Sequence, residues 1–485
     1  MVGTKLFLVV LAFRLLNALL CQTAFVPDET WQSLEVSHKM VFGHGYLTWE
    51  WQKGIRGYTY PLIFAILYKY LQLLGMDWPY LLIRLPRLLH AVCAAIADVC
   101  LYKLAYKMYG RSVGMFALLC NISNWFTFYC VVRTLTNSLE TTLGVISIYL
   151  LYHRSFTSGV VIAALSCMIR PTATVFWLPV IVLHLHWLRP NEKLICLLKL
   201  AVVGCCTMFW SAAVDRYFYA KWIFVQYRFL LFNVLEGKSA IFGTQPWHWY
   251  LSEGVPVILF SLLPSFLIGG LKVTNHKALY FVSLWYIMIH SMLRHKELRY
   301  IFPVVPFACI YAGYHLNSLW NRHKYTVYRC LVVLALASNI PMALYFSLVH
   351  HRGSLTVMDE LRLGIDNHPS PSVLFLTPCY STPYYSHIHR NVSMRMLTCW
   401  PFEKNNELEQ FHNNPHQWLN SQYPSPEDLP THLVMYNSLK PTLEQFLTDN
   451  HYNKISEMFY TQFVDEDGTG QYLQVYVKEN TSYHQ

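Results

Sequence analysis

The sequence predicts a polytopic α-helical membrane protein, a bundle of about eleven transmembrane helices followed by a small C-terminal α/β domain. Three observations carry that expectation. Hydrophobic residues make up 54% of the 485 and charged residues only 13%, about half the charged share usual in soluble domains. Apolar runs long enough to cross a bilayer recur through the first 350 residues, and the mean hydropathy is +0.28. Beyond about residue 351 the chain turns polar and carries strand-like runs instead.

The first span covers residues 6–24, with Arg14 inside it. A cleaved signal peptide is the rival reading, and the internal Arg together with the spans downstream favours a retained helix. Residues 25–86 form a polar loop rich in Trp, Tyr and Gly; within it, residues 61–74 are apolar but too short to cross and are expected to lie at the interface. Further spans are expected at about 88–106, 113–132, 138–152, 156–169, 172–188, 194–214, 253–271, 278–293, 300–320 and 330–350. Orientation follows from Lys and Arg, which concentrate in cytosolic loops. Lys103, Lys107, Arg111, Arg154, Arg189, Lys193, Lys272, Lys277, Arg322, Lys324 and Arg329 fall on one side, assigned to the cytosol with the N-terminus. The 25–86 loop, the 215–252 loop, the segment around His295 and a domain over 351–485 then face the other side. In a eukaryotic cell that side is the lumen of the endoplasmic reticulum.

The tail is expected to hold strands at Ser372–Thr377, Thr431–Tyr436 and Gln471–Val477, with helices between them. If lumenal, it exposes the sequons Asn391-Val-Ser393 and Asn480-Thr-Ser482 to glycosylation, whereas Asn121-Ile-Ser123 lies within a span. Cys379 and Cys399 could pair in an oxidising lumen, while the cysteines within apolar runs pack as small hydrophobes. No CxxC and no Cys/His ligand cluster stands out, so zinc is not expected; no DxD-like metal site stands out either, and no divalent metal or other cofactor is expected. The net charge of +10 points to membrane orientation and anionic lipid partners; no nucleic-acid-binding signature accompanies it.

Two stretches carry candidate chemistry. Val26-Pro27-Asp28-Glu29 follows the first span, where Pro27 can end a helix and two carboxylates meet water. Asp28 either caps a surface helix with Glu29 solvated, or the pair takes a proton from a hydroxyl. The second stretch, Arg294-His295-Lys296-Glu297-Leu298-Arg299, lies between two spans. If it is helical, His295 and Arg299 share a face, and Glu297 could hold one of the cations. Arg84, Arg87, Arg133, Arg170, Arg294, Lys296 and Arg299 all sit at lumenal span ends, against the orientation rule. Each alone reads as a snorkelling side chain; together they point to a bound anion, a lipid phosphate above all.

These stretches resemble the dolichyl phosphate mannose-dependent mannosyltransferases of the GT-C class, and within them the GPI mannosyltransferase III family. The likeness runs through Phe13–Asn17, Val26–Glu29, Trp31–Val36, Gly45–Trp51, Arg133–Asn137, Ile169–Ala173, Pro246–Tyr250, His295–Arg299 and Ser381–His387. It implies a GT-C-like bundle in the endoplasmic reticulum membrane. The implied activity moves mannose with inversion from dolichyl phosphate mannose to a glycosylphosphatidylinositol (GPI) precursor lipid, as the third, α1,2-linked mannose. On that reading Asp28 is the first choice of base and Glu29 the second. Lys296, Arg299 and His295 neutralise the leaving phosphate, with Arg133 and Arg170 in support.

Trp247, His248 and Trp249 form either an interfacial aromatic belt or a sugar-stacking wall. Glu35, Trp49 and Glu50 either pack the first loop or touch the acceptor. Two other functions fit parts of the pattern: a mannosyltransferase acting on lipid-linked oligosaccharide, and a lipid-linked sugar transporter or scramblase. A transporter favours polar residues near the midplane rather than on one face.

Arg14 and Asp98 are expected to form a buried, structural ion pair. Each lies about ten residues below the lumenal end of its span, or roughly 15 Å deep. Glu140 is the rival partner for Arg14, but it sits near a span end.

Overall fold

The computed structural model describes residues 2–322, 326–366, 368–402, 406–464 and 469–479. Lys324 and the Asn480 sequon lie outside the described residues. Among the described residues five helical stretches are long and apolar enough to cross a membrane: Gly3–Leu20, Pro79–Tyr109, Pro190–Tyr219, Tyr250–Lys272 and Thr326–Ile365. Phe156–Ile169, Pro171–His186 and Ala278–Met292 are apolar but shorter. Several expected spans are divided. The 113–132 run breaks at Asn124 into helices Arg111–Ser123 and Trp125–Cys130. The 300–320 run begins as a 3₁₀ turn over Leu298–Val304, which contains Pro303, before its α-helix at Val305–Trp320. The 25–86 segment is also more helical than a polar loop: Glu35–Phe42 and Thr59–Leu73 are helices, and the next helix starts at Pro79 rather than near Leu88.

The chain divides into two compact units. The first comprises Met1–Cys21, Glu50–Phe64 and Arg84–Leu344 and holds most of the apolar helices. Its helices approach closely through small residues, the usual device where lipid supplies no hydrophobic drive. A Cβ on Gly313 would stand 2.5 Å from the backbone nitrogen of Ala117, so only glycine fits there. Side chains bridge the break at Asn124, as a low-dielectric interior requires. The Asn124 side chain accepts from the Thr127 amide (2.9 Å) and donates to the Ile258 carbonyl (2.8 Å), while Asn339 accepts from the Trp125 amide (3.2 Å).

Arg14 and Asp98 meet in this unit. Arg14 Nε lies 2.7 Å from Asp98 Oδ2 and Nη2 3.2 Å from Oδ1, a two-point pairing. Asn121 Nδ2 adds a third donor to Asp98 at 2.8 Å, and Arg14 Nη1 donates to Asn17 at 3.3 Å. Arg14 is 0% exposed and Asp98 2%, so the charges are compensated where neither could stand alone.

The second unit comprises Gln22–Trp49, Ala65–Ile83 and Tyr345–Gln485. Its centre is a five-stranded sheet in the order β2-β1-β3-β5-β4, with β1 Ser372–Leu376, β2 Ser393–Met396, β3 His432–Tyr436, β4 Tyr452–Phe459 and β5 Tyr472–Lys478. β1 runs parallel to β2 and β3; β5 runs antiparallel to β3 and β4. One core packs Val357, Leu361, Phe375, Val434 and Val475 on the helix Gly353–Ile365, and the other packs Leu374, Leu433, Phe411, Trp418 and Leu447. Cys379 and Cys399 are joined as a disulfide, and Asn391 is exposed at the approach to β2.

Candidate active site

In the second unit, Pro27 opens a turn in which the Glu29 amide donates to the Val26 carbonyl at 3.1 Å and the Thr30 amide to the Pro27 carbonyl at 3.0 Å. The helix that follows begins at Asp28. It passes through a π-turn over Thr30–Leu34 and continues as the α-helix Glu35–Phe42. Such π-turns are rare and gather at functional sites. Asp28 is half-buried, whereas Glu29 is 3% exposed. Of the two candidate bases, Asp28 is the more open to a substrate.

Glu35, expected among the acceptor contacts, is 0% exposed. Its Oε1 accepts from the Tyr384 amide (2.8 Å), the Ser386 amide (3.0 Å) and the Ser386 hydroxyl (2.6 Å). Burial lifts its carboxyl to about 7, against the lowering effect of those donors. Trp49 is 4% exposed and packs edge-on to Phe402 at 5.6 Å. These two side chains take up internal packing and bonding rather than an open surface.

In the first unit, the 295–299 stretch is not an α-helix: Glu297 is extended (φ −135°, ψ 152°) and a 3₁₀ turn follows. His295 and Arg299 come together by a different route than a shared helical face, because both bind Glu297. His295 Nε2 lies 3.1 Å from Glu297 Oε1, Arg299 Nε 2.7 Å from Oε2 and Arg299 Nη2 2.8 Å from Oε1. The Tyr300 hydroxyl donates to Glu297 Oε1 at 2.7 Å. Burial opposes the Glu297 charge, but Arg299, His295 and Tyr300 outweigh it and hold the carboxyl well below the usual range. For His295, burial acts to lower the pKa and the bond to Glu297 prevails, raising it. Glu297 is therefore an anionic bracket for two cationic groups.

Lys296 points elsewhere. It is 6% exposed, and Nζ donates to the carbonyls of Gln245 (2.9 Å) and Leu293. Burial lowers its pKa. The same neighbouring segment supplies the Gly243 carbonyl to His295 Nδ1 at 3.0 Å. Arg170 pairs with Glu140 (Nε to Oε2, 3.2 Å) and lies over the Tyr300 ring at 4.9 Å; Arg299 lies 5.5 Å from the same ring. Tyr300 thus contacts two guanidinium groups, a stabilising cation–π arrangement. Arg133 is fully buried, with Nε on the Tyr129 carbonyl (2.8 Å) and its guanidinium 4.1 Å from the Tyr129 ring. Asn137 of the same motif donates to the Arg299 carbonyl at 3.0 Å. The structure gathers His295, Arg299 and Arg170 around Glu297 and Tyr300.

Tyr300, Tyr250 and Glu140 were not among the expected site residues. The Tyr250 hydroxyl donates to the Glu297 carbonyl at 2.9 Å. An acid in an apolar run was the available signal for Glu140. Of the remaining candidates, Trp247 is 70% exposed, His248 is exposed and Trp249 is half-buried. Glu50 pairs with Arg56 at 2.6 Å. A cavity of about 400 Å³ lies among the helices Phe156–Ile169, Thr174–His186 and Pro190–Tyr219, lined by Met168, Pro171, Trp177, Ile181, Leu200 and Met208. Met168 and Pro171 flank Arg170 in the chain. Among the described residues no three His, Cys, Asp or Glu stand together as a metal site.

Residues 5–389 match the model of the Alg9-like mannosyltransferase family. The chain is 42% identical over 493 residues to GPI alpha-1,2-mannosyltransferase 3 of Bos taurus, covering 98% of this chain and 90% of that one. It is likewise 42% identical over 489 residues to the Mus musculus protein of the same name, covering 98% and 89%. In fold it is similar to ArnT from Cupriavidus metallidurans, solved bound to undecaprenyl phosphate, with a TM-score of 0.60 at 11% identity over 98% of this chain and 97% of that one.

Proposed function

The chain belongs to the Alg9-like mannosyltransferase family, and on that premise we propose that it moves mannose from dolichyl phosphate mannose onto a GPI precursor, as the third, α1,2-linked residue. It is a membrane glycosyltransferase with a GT-C fold. Its near full-length identity to relatives named for the GPI reaction supports the acceptor class. The about eleven spans, the lumenal tail and the reticulum membrane location belong to this proposal. The tail disulfide supports an oxidising compartment.

The single observation that carries the chemistry is the cation cluster bracketed by Glu297. A β-linked sugar phosphate becomes an α-linked product through one in-line displacement. The acceptor oxygen bonds to the anomeric carbon as the bond from that carbon to the phosphate oxygen breaks. The proton of the acceptor hydroxyl passes to the Asp28 carboxylate, and the electron pair leaves with dolichyl phosphate. Charge develops on that leaving group, and preoriented cations removed from bulk water stabilise it. Arg299 and His295 are fixed for this role by Glu297, and Arg170 by Glu140. The apolar cavity bounded by Met168 and Pro171 suits part of a polyprenyl tail. Glu29, Lys296 and Arg133, with their buried side chains, support the segments that carry these groups.

The test supplies labelled dolichyl phosphate mannose to the purified protein with either a two-mannose GPI precursor or a lipid-linked oligosaccharide. Label on the GPI precursor alone is expected. Label on the oligosaccharide alone would replace the acceptor, and movement of the donor across vesicles without transfer would replace the activity.

A further inference from the structure

Asp28 and Glu29 do not stand on a free loop. Seven residues along the same helix, about 10 Å at 1.5 Å per residue, Glu35 is sealed inside the second unit at 0% exposure. One of its oxygens takes all three bonds from the 384–386 turn, while Oε2 has no hydrogen-bond partner among the described residues. The Ser386 hydroxyl is tied in turn to His387 Nδ1 at 2.9 Å. Between the acid pair and Glu35 stands Trp31, 3% exposed and part of the same core as Phe375, Ile388, Val434 and Leu473. Its indole N–H donates to the Thr382 carbonyl at 3.1 Å, and its rings lie 5.0 Å from Tyr380 and 5.6 Å from Tyr384. Tyr380 adopts a left-handed φ of 63° there, a strained backbone that persists only where surrounding contacts hold it. Two anchors one turn apart therefore fasten the helix that begins at Asp28 to residues 380–386.

We propose that Glu35 is a positioning residue for the transfer reaction, clamping the 384–386 turn so that the C-terminal α/β domain mounts the Asp28–Glu29 turn in a fixed orientation. The inference rests on the reading of Asp28 as the base. It makes the C-terminal domain part of the catalytic apparatus. Loosening the clamp misplaces the base without altering the cations that hold the donor, so kcat falls while the donor KM stays. A carbonyl suffices as the acceptor of the three bonds, so the amide of glutamine replaces the carboxylate.

The experiment measures kcat and donor KM for full-length Glu35→Ala, Glu35→Gln, Ser386→Ala and the Glu35→Ala/Ser386→Ala double variant, with Asp28→Asn and Glu29→Gln alongside. Glu35→Ala is expected to lose about 10–100-fold in kcat, the scale of a small misplacement of a catalytic group. Its donor KM is expected to remain that of the wild type, and Glu35→Gln to recover most of the loss. Ser386→Ala should lose less, and the double variant should be no worse than Glu35→Ala. If Glu35→Ala does not fold, the comparison of Glu35→Gln with Ser386→Ala decides. A Glu35→Gln variant as inactive as Asp28→Asn, or a Ser386→Ala variant with unchanged kcat, would overturn the clamp. Normal turnover by Asp28→Asn would instead remove the base assignment. An inactive Asp28→Asn beside a folded, fully active Glu35→Ala would remove the positioning role alone.

Discussion

Replacing Asp98 with Leu removes the partner of a fully buried arginine. Arg14 then loses two of its bonds, those of Nε at 2.7 Å and Nη2 at 3.2 Å, and keeps only the 3.3 Å bond to Asn17. Breaking a buried pair from one side costs about 3–5 kcal/mol, because the surviving charge remains uncompensated. Arg14→Met should cost a similar amount, since it leaves the Asp98 carboxylate with the Asn121 amide alone. The double variant removes both charges and leaves two neutral groups unmet, the Asn121 donor and the Asn17 acceptor of the long 3.3 Å bond. An unmet buried group costs about 1–3 kcal/mol, and each single variant already carries one of the two. The double should therefore be more stable than either single variant, well short of the sum of their losses. Thermal unfolding in detergent micelles is the assay. It is followed with a thiol-reactive dye that reports when Cys21 and Cys120, buried free thiols, become accessible. A double variant no more stable than Asp98→Leu would refute the reasoning, for it would mean that each residue acts through packing and not through its partner.

Glu297→Gln should weaken the bracket on Arg299 and His295, raising the donor KM and lowering kcat by about 10-fold or more, as steady-state transfer would show; unchanged constants would separate Glu297 from the donor site. Glu35 supplies a pH prediction. Its folded pKa of about 7 lies above the ordinary value of 4.5, so the stability it contributes is present below about 4.5 and is lost as pH rises through about 7, by roughly 3 kcal/mol at 1.36 per unit. The difference in unfolding free energy between wild type and Glu35→Gln across pH 5–8 isolates this group. It separates it from buried His38, whose pKa is pushed down to about 3 by burial and which acts with the opposite sign. A difference independent of pH would contradict the buried protonated form. Tyr68, Tyr384 and His387 face the same region and are present in both proteins; burial pushes both tyrosines up, so they stay neutral across this range. A glycan on exposed Asn391, seen as a mobility shift lost in Asn391→Gln, is expected for a lumenal tail; a cytosolic reading of a reporter in the tail would reverse the orientation.

Much of this was legible from residue patterns. The Arg14–Asp98 pair forms as expected from matched depth and from the adjacency of consecutive spans, although the helix that carries Asp98 starts at Pro79 and not near Leu88. The strands β1, β3 and β5 are apolar runs and were readable. The four-residue β2 and the edge strand β4, with exposed Asn453, Lys454 and Ile455, lack a continuous apolar signature. The break at Asn124 was hidden because its hydrogen bonds come from Ile258 and Asn339, far away in the chain. The same holds at the site. His295 and Arg299 could be singled out as cations, but their convergence on Glu297 depends on an extended backbone that spacing did not reveal. Glu35 and the Ser381–His387 stretch were each visible, yet 351 residues separate Glu35 from Ser386, and nothing local joined them.

We propose that the chemistry starts at Asp28, the carboxylate which opens the helix after the first span. Asp28→Asn keeps the size and shape of the side chain and removes its basicity. The decisive measurement is single-turnover transfer by purified Asp28→Asn protein, paired with equilibrium binding of dolichyl phosphate mannose. Donor binding close to wild type is expected, with a transfer rate lower by about 10²–10⁴-fold, the usual contribution of a general base. Wild-type transfer by Asp28→Asn would contradict it, and loss of transfer in Glu29→Gln beside an active Asp28→Asn would move the role to Glu29.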